Sequence, residues 1–215
     1  MELIGTSIDK KNIGLAKLIY GLRQDLDIYC LIATNATEIK KCGAGVFFGH
    51  IRMRVVESIA LCICKIFEDE KKYELESISG VVRYLVAQPS TCLDESKVNE
   101  FLLNYGCASS ADSPIGKLQS TLEEFRDKYK DELERFKSFR DKVVAHSEYD
   151  ASRDSLPSYD VMEKLFFFGA DFYRLVSAAF VGVGPDDLRT NRPVKVILKR
   201  LLEKIGLQIV QTDMK

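Results

Sequence analysis

Between Ile115 and Phe136 the apolar residues step by three or four: Ile115, Leu118, Leu122, Phe125, Tyr129, Leu133 and Phe136. That spacing puts one greasy stripe on an α-helix and leaves the other faces to Glu123, Glu124, Arg126, Asp127, Lys128, Lys130, Asp131, Glu132, Glu134 and Arg135. Such a stripe cannot be a strand, whose side chains alternate with period two. It demands other helices to cover it. Strand-like alternation is nearly absent elsewhere, so the expected fold is an all-α antiparallel bundle of about seven helices.

The rest of the chain supplies those helices. Asp9 to about Lys41 reads as the first, with Ile13, Leu15, Leu18, Leu22, Leu26, Tyr29 and Ile32 as its apolar side, until Cys42-Gly43-Ala44-Gly45 breaks it. The second runs from about Val46 to Glu68 and is almost wholly apolar between Val55 and Phe67, which predicts a central position. Ser77 and Asp94 are N-cap residues for two shorter helices, the second ending near Gly106. Ser113-Pro114 opens the long helix, with Ser as cap and Pro in the first turn. The stretches Cys107 to Pro114 and Asp150 to Ser158 read as loops, and two helices follow, about Ser158 to Val181 and Pro193 to Ile205. The expected division is a bundle over 1–185 and a C-terminal basic helix packed on it over 186–215.

At 215 residues and 46% apolar content the chain can bury a sizeable core. A net charge of −1 gives no reason to expect the whole surface to attract nucleic acid. Met1 to Asn12 lacks the basic start and apolar run of a signal peptide. Asp171 and Arg174 interrupt the most apolar late stretch, Leu165 to Gly184. A cytoplasmic protein without a membrane span is expected, and its six cysteines are expected to be reduced thiols. Cys62 and Cys64 point to opposite faces of one helix and cannot share a metal, and no other Cys/His grouping has ligand spacing. No metal and no cofactor is implied.

The string Phe139 to Asp150, FRDKVVAHSEYD, carries the chemistry. Arg140 stays charged at any physiological pH and can fork two donors onto a phosphate. His146, one of two histidines in the chain, exchanges a proton near neutrality. Arg140 follows the buried stripe four residues after Phe136. Either it forms a structural ion pair, with Glu57 or Asp171 as partner, or the stripe enters a polar cleft or a subunit interface there. His146 is either a helix-end charge or a proton carrier. On a straight α-helix the two lie about 9 Å apart along the axis and about 120° apart around it. They then meet on one ligand only if the helix frays or if a second copy of the chain contributes.

The segment RDKVVAH resembles the R-x4–6-H motif of the HEPN superfamily. His50 to Leu85 is similar to the second helix, "lFD" corner and short third helix of that superfamily's abortive-infection U type. The resemblance extends over about Asp9 to Phe180. It implies an α-helical, usually dimeric bundle with the motif at the dimer interface. Many members are metal-independent endoribonucleases of toxin–antitoxin, abortive-infection or other antiphage systems; others are inactive binding modules. By position, Arg140 and His146 match the motif residues. Asp141 fills the polar position that often follows the arginine, there to orient Arg140 or the histidine. Some relatives extend the motif to a tyrosine that a partner nucleotidyltransferase modifies with AMP. Here Tyr149 stands one place later than that pattern.

The expected activity is therefore RNA cleavage through the 2′-hydroxyl to a 2′,3′-cyclic phosphate. Its expected partners are RNA, a second copy of the chain, and an antitoxin or nucleotidyltransferase. The alternative is a non-catalytic HEPN dimerisation module that binds nucleotide, RNA or a protein. Arg192, Lys195, Lys199 and Arg200 on the last helix are the candidate RNA-binding residues, opposite an apolar side of Val194, Ile197, Leu198, Leu201 and Ile205. Phe166, Phe167, Phe168, Phe172 and Tyr173 are expected in the core or at a dimer contact, since no Arg or Lys is interleaved with them.

Overall fold

A computed structural model describes residues 13–69, 77–87, 93–106, 113–145, 156–180 and 193–207. These residues form nine α-helices and contain no strand. The helices are α1 (Ile13–Thr34), α2 (Ala36–Lys41), α3 (Gly45–Phe67), α4 (Ile78–Ala87), α5 (Glu95–Tyr105), α6 (Pro114–Lys128), α7 (Lys130–Phe139), α8 (Tyr159–Phe180) and α9 (Pro193–Lys204). A π-helical turn, Arg140–Ala145, continues directly from α7.

The chain's own signals set these boundaries. Gly80 N–H donates to Ser77 Oγ at 3.1 Å, Ser96 N–H to Asp94 Oδ1 at 3.0 Å and Gly116 N–H to Ser113 Oγ at 3.0 Å. Each bond satisfies an amide that a helix start leaves without a partner. Gly106, at φ +71°, ends α5 in the left-handed conformation that glycine adopts most cheaply.

Two helices expected to be continuous are each split. Asn35 is buried, and its side-chain amide donates to the Leu31 carbonyl at 2.9 Å. That local bond competes with the helix ladder and separates α1 from α2. At Tyr129 the backbone turns to φ −109°, ψ 22°, which separates α6 from α7. The Tyr129 ring packs on Phe125 with centroids 4.7 Å apart.

Helix α3 is central, as its apolar run predicts, and touches α1, α2, α4, α7, α8 and the π turn. Helices α1 and α8 pack on each other, α5 contacts α6 and α8, and α4 lies on α6. An aromatic stack fills the middle: Phe125 and Phe168 lie face to face at 3.8 Å, surrounded by Phe67, Phe101 and Tyr105. Phe166, Phe168 and Phe172 are buried. Gly169 of α8 faces Ile66 of α3, and a Cβ there would make ordinary contact with it at 3.5 Å.

A smaller cluster of Leu31, Ile32, Ile39, Phe48, Leu202 and Leu207 seats α9 against α1. The inward face of α9 differs from the expected one. Leu198 and Leu202 turn inward, Lys195 and Lys199 are half-buried beside them, and Ile197, Leu201 and Ile205 are exposed. Leu202 joins the cluster of Leu31, Ile32, Ile39 and Phe48, and with that residue inward the longer apolar row of α9 faces outward. No helix of the described residues is long and apolar enough to cross a membrane.

Candidate functional site around Arg140

The site is built where α7 passes the end of α3. Phe136 and Phe139 carry the apolar stripe into the core and are buried. Arg140, the next residue, starts the π turn and lies at the rim with 24% of its side chain exposed. A π turn closes its hydrogen bonds one residue further along than an α-helix does, and such turns recur at functional sites. The expected spacing for a straight helix therefore fails from Arg140 onward, because the backbone is wider there.

Two carboxylates hold the guanidinium. Nε donates to Asp141 Oδ1 at 2.8 Å, and Nη1 donates to Glu68 Oε1 at 3.3 Å. Nη2 has no partner among the described residues. Hydrogen bonding to Asp141 raises the pKa of Arg140, against a smaller lowering by partial burial. The expected partners were Glu57 and Asp171, and neither is the one found. Glu57 pairs with Arg54 at 2.7 Å, and Asp171 accepts from the Tyr105 hydroxyl at 2.7 Å. The first lies too far back along α3, and the second belongs to the aromatic core. Glu68, 72 residues from Arg140 in sequence, is the acid that the end of α3 delivers to this place.

Glu68 leaves α3 in an extended conformation, φ −65°, ψ 144°, and Asp69 follows. Asp69 binds Arg83 of α4 and, at 3.4 Å, Arg126 of α6; Arg126 also reaches Ser79 Oγ at 3.3 Å. One turn before Glu68, the buried thiol of Cys64 lies under the same charges. Burial pushes it up to about 11, against a lowering by Arg140. Cys62 faces Asp25 and Ser58 instead, and burial pushes it up to about 11 as well. The two thiols thus have separate neighbours, and Cys30, Cys42, Cys62 and Cys64 are all free thiols. Among the described residues no three His, Cys, Asp or Glu side chains are grouped to hold a metal ion.

Of the residues singled out in the sequence, Arg140 and Asp141 are in contact. Asp141 is exposed and bonded to the arginine rather than to the core. His146, Tyr149 and Arg192 lie outside the described residues. Lys195 and Lys199 are half-buried on α9, and Arg200 is exposed there. Sequence reasoning missed Glu68 as a site residue. Its one local signal was the acidic run Glu68-Asp69-Glu70 directly after an apolar helix.

A family model described as AbiU2, of the HEPN class, matches residues 13–191. The chain belongs to the HEPN AbiU2 family. The match spans the whole bundle from α1 to α8, and the Arg140 motif lies within it. The curated proteins give no match to this chain, and neither do the solved structures.

Proposed function

We propose that this HEPN protein is a metal-independent endoribonuclease, active as a homodimer and serving as the toxin of a toxin–antitoxin or abortive-infection system. The observation that carries the reading is Arg140. The motif position holds a half-buried arginine, fixed at two nitrogens by two carboxylates, with a third nitrogen left over. An arginine so oriented suits a phosphate better than a freely moving lysine does.

In this reading the 2′-hydroxyl of RNA attacks the adjacent phosphorus and the bond to the 5′-oxygen breaks. His146 of one subunit takes the hydroxyl proton, and a proton is returned to the departing 5′-oxygen by His146 of either subunit. Such transfers contribute roughly 10²–10⁴-fold. Arg140 stabilises the charge that grows on the phosphoryl oxygens. The products are a 2′,3′-cyclic phosphate and a 5′-hydroxyl, and DNA is inert. Arg192, Lys195, Lys199 and Arg200 would guide the RNA backbone, with exposed Arg200 making the freest contact. An antitoxin or a nucleotidyltransferase acting on Tyr149 would restrain the activity.

The test is cleavage of labelled RNA in EDTA by the wild-type protein and by His146→Ala, with analysis of product ends. Wild-type cleavage to cyclic phosphate that the variant lacks supports the reading; equal cleavage by both rejects it. A second reading, a non-catalytic HEPN module, is favoured by the ion pair between Arg140 and Glu68, which a purely structural arginine would also make. It predicts binding of nucleotide, RNA or a partner protein without any RNA cleavage.

A further inference from the structure

The chain leaves α3 on three acids in succession, Glu68, Asp69 and Glu70, at a helix end where the backbone dipole favours cations instead. Glu68 and Asp69 therefore have no reason of helix capping to be there. Each has an arginine partner from a distant part of the chain: Arg140 for Glu68, and Arg83 with Arg126 for Asp69. Arginine recurs at all three places, and a guanidinium, unlike an ammonium, holds direction as well as charge.

We infer that Glu68 is a positioning residue for the motif arginine, and that Asp69 fixes the corner from which Glu68 acts. Asp69 ties the corner to α4 and α6 through Arg83 and Arg126. Glu68, anchored by that tie, takes Nη1 of Arg140 while Asp141 takes Nε. The guanidinium plane is then set from two sides and Nη2 remains to meet a phosphate. The π turn gives the arginine a wider backbone than an α-helix would, so support from α3 is what keeps it in one orientation. The consequence for catalysis rests on the ribonuclease reading; the geometry of the corner does not.

The test uses the full-length protein with Glu68→Gln, Glu68→Asp and Asp69→Asn. The first readout is the side-chain Nε–Hε spectrum of the arginines, with the Arg140 signal identified by its absence from Arg140→Lys. Glu68→Gln is expected to move or broaden that signal, and Asp69→Asn to do so through Glu68 without touching Arg140. The second readout is RNA cleavage. Because a small misplacement of a charge-stabilising group costs up to roughly 100-fold in rate, Glu68→Gln should lower kcat on that scale. KM should stay within about twofold, as expected when ground-state binding is retained. Glu68→Asp should recover part of the loss, and the melting temperature should not follow kcat. An unchanged Arg140 signal in Glu68→Gln overturns the inference, as does a loss of kcat that merely tracks the loss of folded protein. If the wild-type protein cuts no RNA, the ribonuclease reading fails on its own and the spectrum still decides the role of the corner.

Discussion

Arg23 and Asp27, four residues apart on α1, form an ion pair at 2.9 Å with only 2% and 1% of their side chains exposed. The guanidinium lies over the Phe166 ring, 5.3 Å from its centroid. Only Nη2 reaches the carboxylate; Nε and Nη1 are buried and make no hydrogen bond to the described residues. Removing one partner of a buried pair typically costs about 3–5 kcal/mol, because the other charge stays behind. Asp27→Leu should cost that much, since it leaves a buried cation without its anion. Arg23→Met also breaks the pair, but it removes two buried donors that lack partners, each worth about 1–3 kcal/mol of penalty. It should therefore cost clearly less, of the order of 1–3 kcal/mol by the same reckoning. The double variant Arg23→Met/Asp27→Leu should match the wild type or exceed it by about 1–4 kcal/mol, as other apolar replacements of buried pairs do. Urea denaturation followed by far-UV circular dichroism measures all three. For a chain of this size Asp27→Leu should melt roughly 6–20 °C lower. The reasoning is refuted if Arg23→Met costs as much as Asp27→Leu, or if the double variant is no better than the weaker single one.

The aromatic stack and the buried thiols give two further outcomes. Phe168→Ala removes a fully buried ring stacked on Phe125 and should cost about 3–5 kcal/mol in the same urea titration. Both buried thiols ionise near 11 in the folded chain against an ordinary value of 9.0. Folding thus favours their neutral form, so this contribution to stability is complete below pH 9.0 and is lost as pH climbs through about 11. Replacing Cys62 and Cys64 with Ala should flatten that decline. In the native protein at pH 8, a thiol reagent should modify exposed Cys42 well before either buried thiol.

Much of the fold was legible because its signals are local. The caps at Ser77, Asp94 and Ser113, the glycine stop at Gly106 and the apolar run of α3 each act within a few residues, and each is found at its expected place. What escaped depends on neighbours far along the chain. The stripe of α1 looks complete as Leu22, Leu26 and Tyr29, yet Arg23 and Asp27 are buried along with Leu22 and Leu26, while Tyr29 is only half-buried. Charges at that spacing are usually a solvated face, and here Phe166 of α8 packs over Arg23 instead of water. The inward face of α9 was misjudged for the same reason, since the residues that meet Leu202 come from α1, α2 and α3. At the site, the residue types of Arg140 and Asp141 were readable, whereas the partnership with Glu68 exists only once α7 has been laid across the end of α3.

The wide turn from Arg140 to Ala145 behaves as a one-residue insertion absorbed into a helix. Removing one residue from it would let the backbone relax to ordinary α-helical winding, and the end of the turn would rotate by about 100° relative to Arg140. The bundle beneath, anchored by Phe136 and Phe139 ahead of the turn, would not need to adjust. An indel in this turn would therefore re-aim the backbone that follows Arg140 while leaving the two rings ahead of it in the core.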